Sequence, residues 1–128
     1  MKYEWIEEYC LSKKGAIREY KVEWDAIRYM IKDKMFVLQG DDNKGNQIIT
    51  VKLKPEFGEL LRLKYEDIIP GYHTNKVHWN SLFLDGEVPD DVVKEMLDES
   101  YALVYLSLSK KDQMEMEGKE NGRTDDRV

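Results

Sequence analysis

The fold is decided by residues 27–53, whose sequence is IRYMIKDKMFVLQGDDNKGNQIITVKL. At the start of this stretch Ile27, Tyr29 and Ile31 alternate with Ala26, Arg28 and Met30. A period of two residues is typical of a β-strand, because successive side chains of a strand point to opposite faces. The first part of the stretch therefore predicts a strand.

Two further strand segments follow within the same stretch. The charged residues 32–34 lead to the apolar residues 35–38, and the polar residues 40–46 lead to the β-branched segment 47–53. Short polar breaks between apolar segments favour hairpins over longer crossovers. We expect three antiparallel strands. The acidic and amide residues of the second break lack the spacing of a calcium loop and indicate a turn.

Three helices are predicted around these strands. Residues 2–13 carry apolar side chains at helical spacing and end before Gly15. Proline at the first helical position marks the helices at residues 55–65 and 89–108, and acidic side chains reinforce the start of the latter. The sequence thus predicts an α+β fold, a two-layer arrangement of an antiparallel β-sheet flanked by three helices.

The domain is expected to span residues 1–110. The whole chain has 128 residues with 41% hydrophobic content, which suffice for a single compact core. Residues 111–128 are polar and mixed in charge, and we expect them to form a disordered C-terminal tail.

Residues 68–84 concentrate the candidate functional side chains. Pro70 favours extended backbone before it and Gly71 allows a turn. From residue 77 onwards apolar and polar side chains alternate, which predicts a strand at residues 77–84 that emerges from a loop. This loop and strand carry both histidines of the chain, His73 and His78.

Several short motifs in and after this stretch resemble the MmcQ/YjbR family of small bacterial proteins. They are Pro70-Gly71-Tyr72-His73, Asn75-Lys76-Val77-His78-Trp79-Asn80, Leu84-Asp85-Gly86 and Asp98-Glu99-Ser100-Tyr101-Ala102-Leu103-Val104. The resemblance extends from Tyr9 to about Lys111. Members of that family are described as DNA-binding through a double-wing α/β motif. The resemblance therefore implies a winged α/β surface and DNA as the partner.

The charge of the chain is unevenly distributed. The formal net charge of −6 argues against a protein that coats nucleic acid nonspecifically, since that affinity comes from lysine and arginine side chains. Residues 13–34 nevertheless carry seven basic and four acidic residues, whereas residues 85–99 carry seven acidic residues and only Lys94. We expect a basic face and an acidic face if the fold separates these segments; the alternative is scattered, solvated charge.

Motifs of catalysis and metal binding are missing from the sequence. It has no Gly-rich phosphate loop, no nucleophile elbow and no His-x-x-x-His pair. Cys10 is the only cysteine and falls on the apolar stripe of the first helix, as expected of a small core residue. We expect a non-enzymatic protein without cofactor or metal, monomeric and cytoplasmic, with no membrane segment.

The leading hypothesis is DNA binding by cationic, hydrogen-bonding and aromatic side chains. The candidate residues are Lys76, His78, Trp79, His73, Asn75, Arg18, Lys21 and Arg28. For Trp79 we favour a core position on the sheet, with a projecting ring as the alternative. A small protein-interaction or regulatory module is the alternative function, and an exposed apolar patch would favour it.

Overall fold

A computed structural model describes residues 2–71 and 75–125, with side chains as far as Gly118. Its elements, in chain order, are α1 (Ile6–Leu11), β1 (Ala16–Lys21), a short 3-10 turn (Val22–Trp24), β2 (Ala26–Ile31), β3 (Lys34–Asp41), β4 (Gln47–Lys52), α2 (Pro55–Lys64), β5 (Ile68–Pro70), β6 (Trp79–Phe83), α3 (Asp90–Ser107) and α4 (Lys110–Asp125).

The strands within the described residues form one six-stranded sheet in the order β1-β2-β3-β4-β6-β5, and every neighbouring pair is antiparallel. The α+β prediction is therefore confirmed. The three strands predicted at residues 27–53 are β2, β3 and β4, at the middle of the sheet. The predicted strand at residues 77–84 is β6, which pairs with β4.

A bulge in β3 ties the sheet to α3. Tyr29 pairs with Val37 but Met30 pairs with Met35, so Phe36 is an extra residue in β3. Its carbonyl accepts a hydrogen bond from the Ser100 hydroxyl at 2.6 Å, and the same hydroxyl accepts one from the backbone N–H of Lys52 at 2.8 Å. Ser100 is fully buried. One side chain of α3 thus satisfies backbone groups of two strands where their ladder ends.

The helices cover one face of the sheet, which we call the core face. Cross-strand partners share a face, so the pairs Tyr29–Val37, Val37–Val51 and Val51–Asn80 define it. Tyr29, Val37 and Val51 belong to the hydrophobic core, which also contains Cys10 of α1, Leu61 of α2 and Val93 of α3. The Phe36 ring also meets the ring of Tyr101 of α3 edge-on, with centroids 5.3 Å apart.

The second and third predicted helices are confirmed as α2 and α3, with ends within one residue of those expected. The first is shorter than predicted, because residues 2–5 form turns and the α-helix begins at Ile6. Tyr3 explains this difference. Its ring is buried and its hydroxyl donates to the carbonyl of Val88 at 2.8 Å, so the chain start is held against the loop before α3.

Most of the segment expected to form a disordered tail belongs to α4 (Lys110–Asp125). The sequence there is polar, but Met116 is buried and its methyl group lies 2.9 Å from where a Cβ of Gly15 would be. Glu115 accepts a hydrogen bond from the Lys32 ammonium at 2.8 Å, and Glu117 accepts one from the Tyr105 hydroxyl at 2.9 Å. Tertiary contacts of a few side chains, invisible in the composition, order this helix.

None of the helices in the described part of the chain combines the length and the hydrophobicity that a membrane span requires.

The substitution Ser100→Ala should lower the free energy of unfolding by about 1–3 kcal/mol, because it leaves a buried carbonyl and a buried N–H without their partner. Urea unfolding measures this change. Ser107→Ala is the matched control, since Ser107 lies on the same helix and is exposed, and its hydroxyl donates to the carbonyl of Val104 within its own turn and accepts from Lys34. Equal stability of the two variants would contradict the assigned role.

Met116→Ala should destabilise the protein by about 2 kcal/mol, because it removes a buried side chain from the contact between α4 and the start of β1. Met114→Ala, two residues earlier and 65% exposed, should leave the melting temperature nearly unchanged. Thermal unfolding of both variants makes the comparison. A tail that does not dock would give the same result for the two methionines.

Candidate functional site

The face of the sheet opposite the core face carries the candidate site, and we call it the open face. Strand pairing and alternation assign its members to three rows across the sheet. The rows are Lys21, Ala26, Gly40, Ile48 and Phe83; then Glu19, Arg28, Leu38, Thr50, Ser81 and Ile69; then Ile17, Met30, Met35, Lys52 and Trp79.

The packing of apolar side chains confirms that this face is separate from the core. Ala26, Met30 and Ile48 are buried, yet none of them belongs to the cluster formed with the helices. Within residues 2–71 and 75–118, the core cluster contains none of the residues of the three open-face rows.

One corner of the open face is built around Trp24. The 3-10 turn between β1 and β2 presents this ring, which is 52% exposed. The Lys21 Nζ atom lies 5.6 Å from the ring centroid and the Arg28 Cζ atom 5.5 Å from it. These are cation–π distances, so an accessible aromatic ring stands between two positive charges.

The turn that presents Trp24 is held by Asp25. This residue adopts a left-handed conformation with φ of 49°, which an aspartate tolerates better than most side chains. Its backbone N–H donates to the carbonyl of Val22 at 3.1 Å, and its carboxylate accepts a hydrogen bond from the Tyr20 hydroxyl. The exposed ring therefore projects from a defined turn.

The opposite corner of the open face contains Lys52 and Trp79, which are direct cross-strand partners. Trp79 is half-buried and lies outside the hydrophobic core. The core position favoured for Trp79 is therefore wrong. The reason is register: Trp79 has the same parity along β6 as Ser81 and Phe83, whereas the core side of that strand carries Asn80 and Leu82.

The centre of the open face is low and polar. Thr50 and Ser81 are cross-strand partners whose hydroxyl oxygens lie 2.7 Å apart. They are 1% and 0% exposed, respectively, so these hydroxyls do not reach the solvent. The face thus has a buried floor of small residues between its two aromatic corners.

Most of the predicted loop residues form hydrogen bonds that stabilise the loop. The ammonium group of Lys76 donates to the carbonyl of Gly71 at 2.7 Å, and the side chain of Asn75 accepts from the backbone N–H of Val77 at 2.8 Å. The carbonyl of His78 accepts from the N–H of Leu53 at 2.7 Å. His73 lies outside the described residues, as does Tyr72.

The predicted basic residues divide between the two sides of the sheet. Lys21 and Arg28 belong to the open face, where Arg28 also forms an ion pair with Glu19. Arg18 has the opposite parity on β1 and lies near Glu7 of α1, with 3.5 Å between Nε and Oε1. The structure therefore brings Lys21 and Arg28 together and separates Arg18 from them.

Two residues of the open face escaped the sequence analysis, Trp24 and Lys52. Trp24 is one of three tryptophans and follows Lys21 and precedes Arg28 in the segment KVEWDAIR. An aromatic residue between basic residues is a signal that could have found it. Lys52 alternates with Thr50 on β4, so only the pairing of β4 with β6 reveals its position beside Trp79.

Charge is distributed differently on the two sides of the sheet. The rows of the open face carry Lys21, Arg28 and Lys52 against Glu19. The helices on the other side begin with acidic residues, Glu7 and Glu8 in α1 and Asp90 and Asp91 in α3. The turn that presents Trp24 adds Glu23 and Asp25, so the open face is close to neutral in a chain of net charge −6.

Among the described residues, no group of three or more histidine, cysteine, aspartate or glutamate side chains is arranged to hold a metal ion. The Cys10 thiol is fully buried, and burial raises its pKa to about 12 despite the nearby charge of Lys13. A thiol of that pKa carries almost no thiolate near neutral pH.

The fold and the open face define the class of this protein, a small α+β domain with a one-sided antiparallel sheet. The chain belongs to the YjbR family, whose family model matches residues 11–103. It is 33% identical to the uncharacterized protein YjbR of Escherichia coli K12 over 94 residues, which are 73% of this chain and 79% of that protein. It is likewise 33% identical to the uncharacterized protein YbdF of Escherichia coli O157:H7 over 91 residues, or 71% and 72% of the two chains.

Solved structures show the same fold. The crystal structure of Deinococcus radiodurans protein DR2400, with the domain DUF419, is similar with a TM-score of 0.77 at 28% identity, over 87% of this chain and 84% of that one. A crystal structure of a Pseudomonas syringae protein is similar with a TM-score of 0.70 at 24% identity, over 80% and 98% of the chains. That second likeness concerns the fold alone.

Cys10 should react with a thiol reagent such as iodoacetamide only when the protein unfolds. It is the only cysteine, so mass spectrometry reports its labelling without ambiguity. Because burial raises the folded-state pKa from 9.0 to about 12, the stability from the neutral thiol is complete below about pH 9 and is lost as the pH rises towards 12. Rapid labelling of the native protein at neutral pH would contradict this assignment.

Proposed function

We propose that this protein is a non-enzymatic DNA-binding protein that uses the open face of its sheet. The observation that carries the proposal is the combination, on one face, of cations with one exposed and one half-buried tryptophan ring. Lys21 and Arg28 flank Trp24 at one corner, and Lys52 pairs with Trp79 at the other. Cations attract phosphate oxygens, and aromatic rings supply stacking surfaces for bases.

The charge distribution adds a second argument. DNA approaching the helix layer would meet the acidic starts of α1 and α3. DNA approaching the open face would meet Lys21, Arg28 and Lys52, with Glu19 and the turn residues Glu23 and Asp25 opposed to them. The sheet is therefore the side that repels nucleic acid less than the acidic helix starts do.

The loop before β6 contributes to this proposal as the rim of the interface. Asn75, Lys76 and His78 precede Trp79 and are exposed or half-buried. Because the Lys76 ammonium already donates to Gly71, it has two donors left for a phosphate rather than three. We therefore assign the principal phosphate contacts to the face and a smaller one to Lys76.

A protein-interaction module is the second candidate function. Ile17, Met35, Leu38, Ile69 and Phe83 give the open face apolar side chains that are exposed or half-buried. Apolar surface of this kind is also a property of protein interfaces. The DNA titration below distinguishes the two functions, since a protein-docking face needs no affinity for phosphate.

Titration of labelled DNA at several salt concentrations tests the proposal. Binding should weaken as salt rises, because each neutralised phosphate releases condensed counterions. Lys52→Ala should reduce the slope of log K against log salt by about one unit. Lys64→Ala on α2 is the charge-matched control on the helix side and should leave that slope unchanged.

Lys76→Ala tests the contribution of the rim separately from that of the face. It should reduce the slope of log K against log salt by less than Lys52→Ala does. Absence of binding to varied sequences at low salt would contradict DNA binding and favour the protein-interaction module. An equal reduction of that slope by Lys52→Ala and by Lys64→Ala would contradict the assignment of the interface to the open face.

A further inference from the structure

The Trp24 corner indicates which form of nucleic acid fits the open face. This inference rests on the proposed function. Trp24 is 52% exposed and is neither part of the hydrophobic core nor among the side chains packed against it. Folding therefore does not account for a large aromatic ring at this position. A ring held on a defined turn and flanked by two cations is a stacking platform with phosphate-attracting groups beside it.

Stacking on such a ring requires a base with a free face. In a duplex each base is covered above and below, so a protein ring gains access only by unstacking a step, which costs free energy. An unpaired strand offers base faces without that cost. The ring of Trp24 is thus better suited to a single strand than to a closed duplex.

The arrangement of the open face favours the same ligand. Between its corners the face presents the half-buried side chains of Leu38 and Phe83, beside the buried Thr50 and Ser81. Trp24 and Trp79 are about 14 Å apart across the strands, because three strand spacings separate β2 from β6, and about 13 Å or more apart along the strands, because four residues separate their rows. A flexible strand can cross this distance and reach both rings.

The small number of cations on the face indicates a modest electrostatic contribution to the free energy of binding. Three cations stand against Glu19 and the turn residues Glu23 and Asp25, and Arg28 is already paired with Glu19. Duplex DNA presents about one charge per 1.7 Å and is the ligand for which phosphate neutralisation contributes most. With few cations available in a chain of net charge −6, base stacking must supply much of the affinity.

We propose that the ligand of the open face is single-stranded DNA and that Trp24 stacks on an unpaired base while Lys21 and Arg28 contact the adjoining phosphates. Trp79 provides the second stacking surface, at the far end of the face. Recognition of this kind depends weakly on sequence, because every base has an aromatic face.

Fluorescence anisotropy with labelled oligothymidylate of about twelve nucleotides, and with a duplex of the same length, tests this inference. The single strand should bind more tightly than the duplex at equal salt. Trp24→Ala should weaken single-strand binding about tenfold or more, whereas Trp24→Phe should keep most of the affinity because a smaller ring still stacks. Leu63→Ala, which removes an 84% exposed apolar side chain from α2, is the matched control and should change nothing.

The outcomes separate this inference from the function on which it rests. Tighter binding of the duplex, or single-strand binding that Trp24→Ala leaves intact, would overturn the inference while DNA binding by the open face stands. Binding of neither ligand would overturn both. The melting temperature of Trp24→Ala should match that of the parent protein, so a loss of affinity would report the interface and not the fold.

Discussion

The arrangement of the whole domain depends on the hydrogen bonds that the Ser100 hydroxyl forms with backbone groups of two strands. The bulge at Phe36 leaves a backbone carbonyl of β3 without its ladder partner. The end of the β3–β4 ladder likewise leaves the N–H of Lys52 without a partner in that ladder. Buried backbone groups without partners are costly, and Ser100 satisfies both. This contact fixes α3 across the middle of the sheet on the core face. The hydrophobic core then forms on that side, and the opposite face is left to other uses.

The two sides of the sheet consequently differ in chemistry. The core face carries the apolar residues that pack with the helices, and the acidic starts of α1 and α3 surround that layer. The open face carries a floor of small polar residues, three cations and two tryptophans. A half-exposed tryptophan contributes little to folding, so its position on a shaped turn is the clearest sign of a binding surface. The difference between the faces thus links the topology of the sheet to the proposed ligand.

The sequence predicted those features that depend on local patterns. Alternation revealed β2, an apolar and a β-branched segment between polar breaks revealed β3 and β4, and Pro55 and Pro89 marked α2 and α3. Features that depend on long-range pairing were inaccessible: the bulge that requires Ser100, the side of the sheet on which Trp79 lies, and the neighbours of Trp24. Basic character at Lys21 and Arg28 was visible, but the parity that separates Arg18 from them follows from the pairing of β1 with β2. The helical structure of α4 was not predicted because its segment is polar in composition. One buried methionine and two hydrogen-bonded glutamates attach it to the rest of the domain.

The central claim is that the open face, and not the helix layer, is the binding surface of this YjbR-family protein. Backbone amide chemical shifts measured by NMR during a DNA titration test it most directly, because they report each strand and helix separately. The account predicts that the amides of Arg28, Leu38 and Thr50 shift progressively with DNA, while those of Val93 and Met96 on α3 stay in place. Shifts confined to α3, or none on the central strands at saturation, would contradict it.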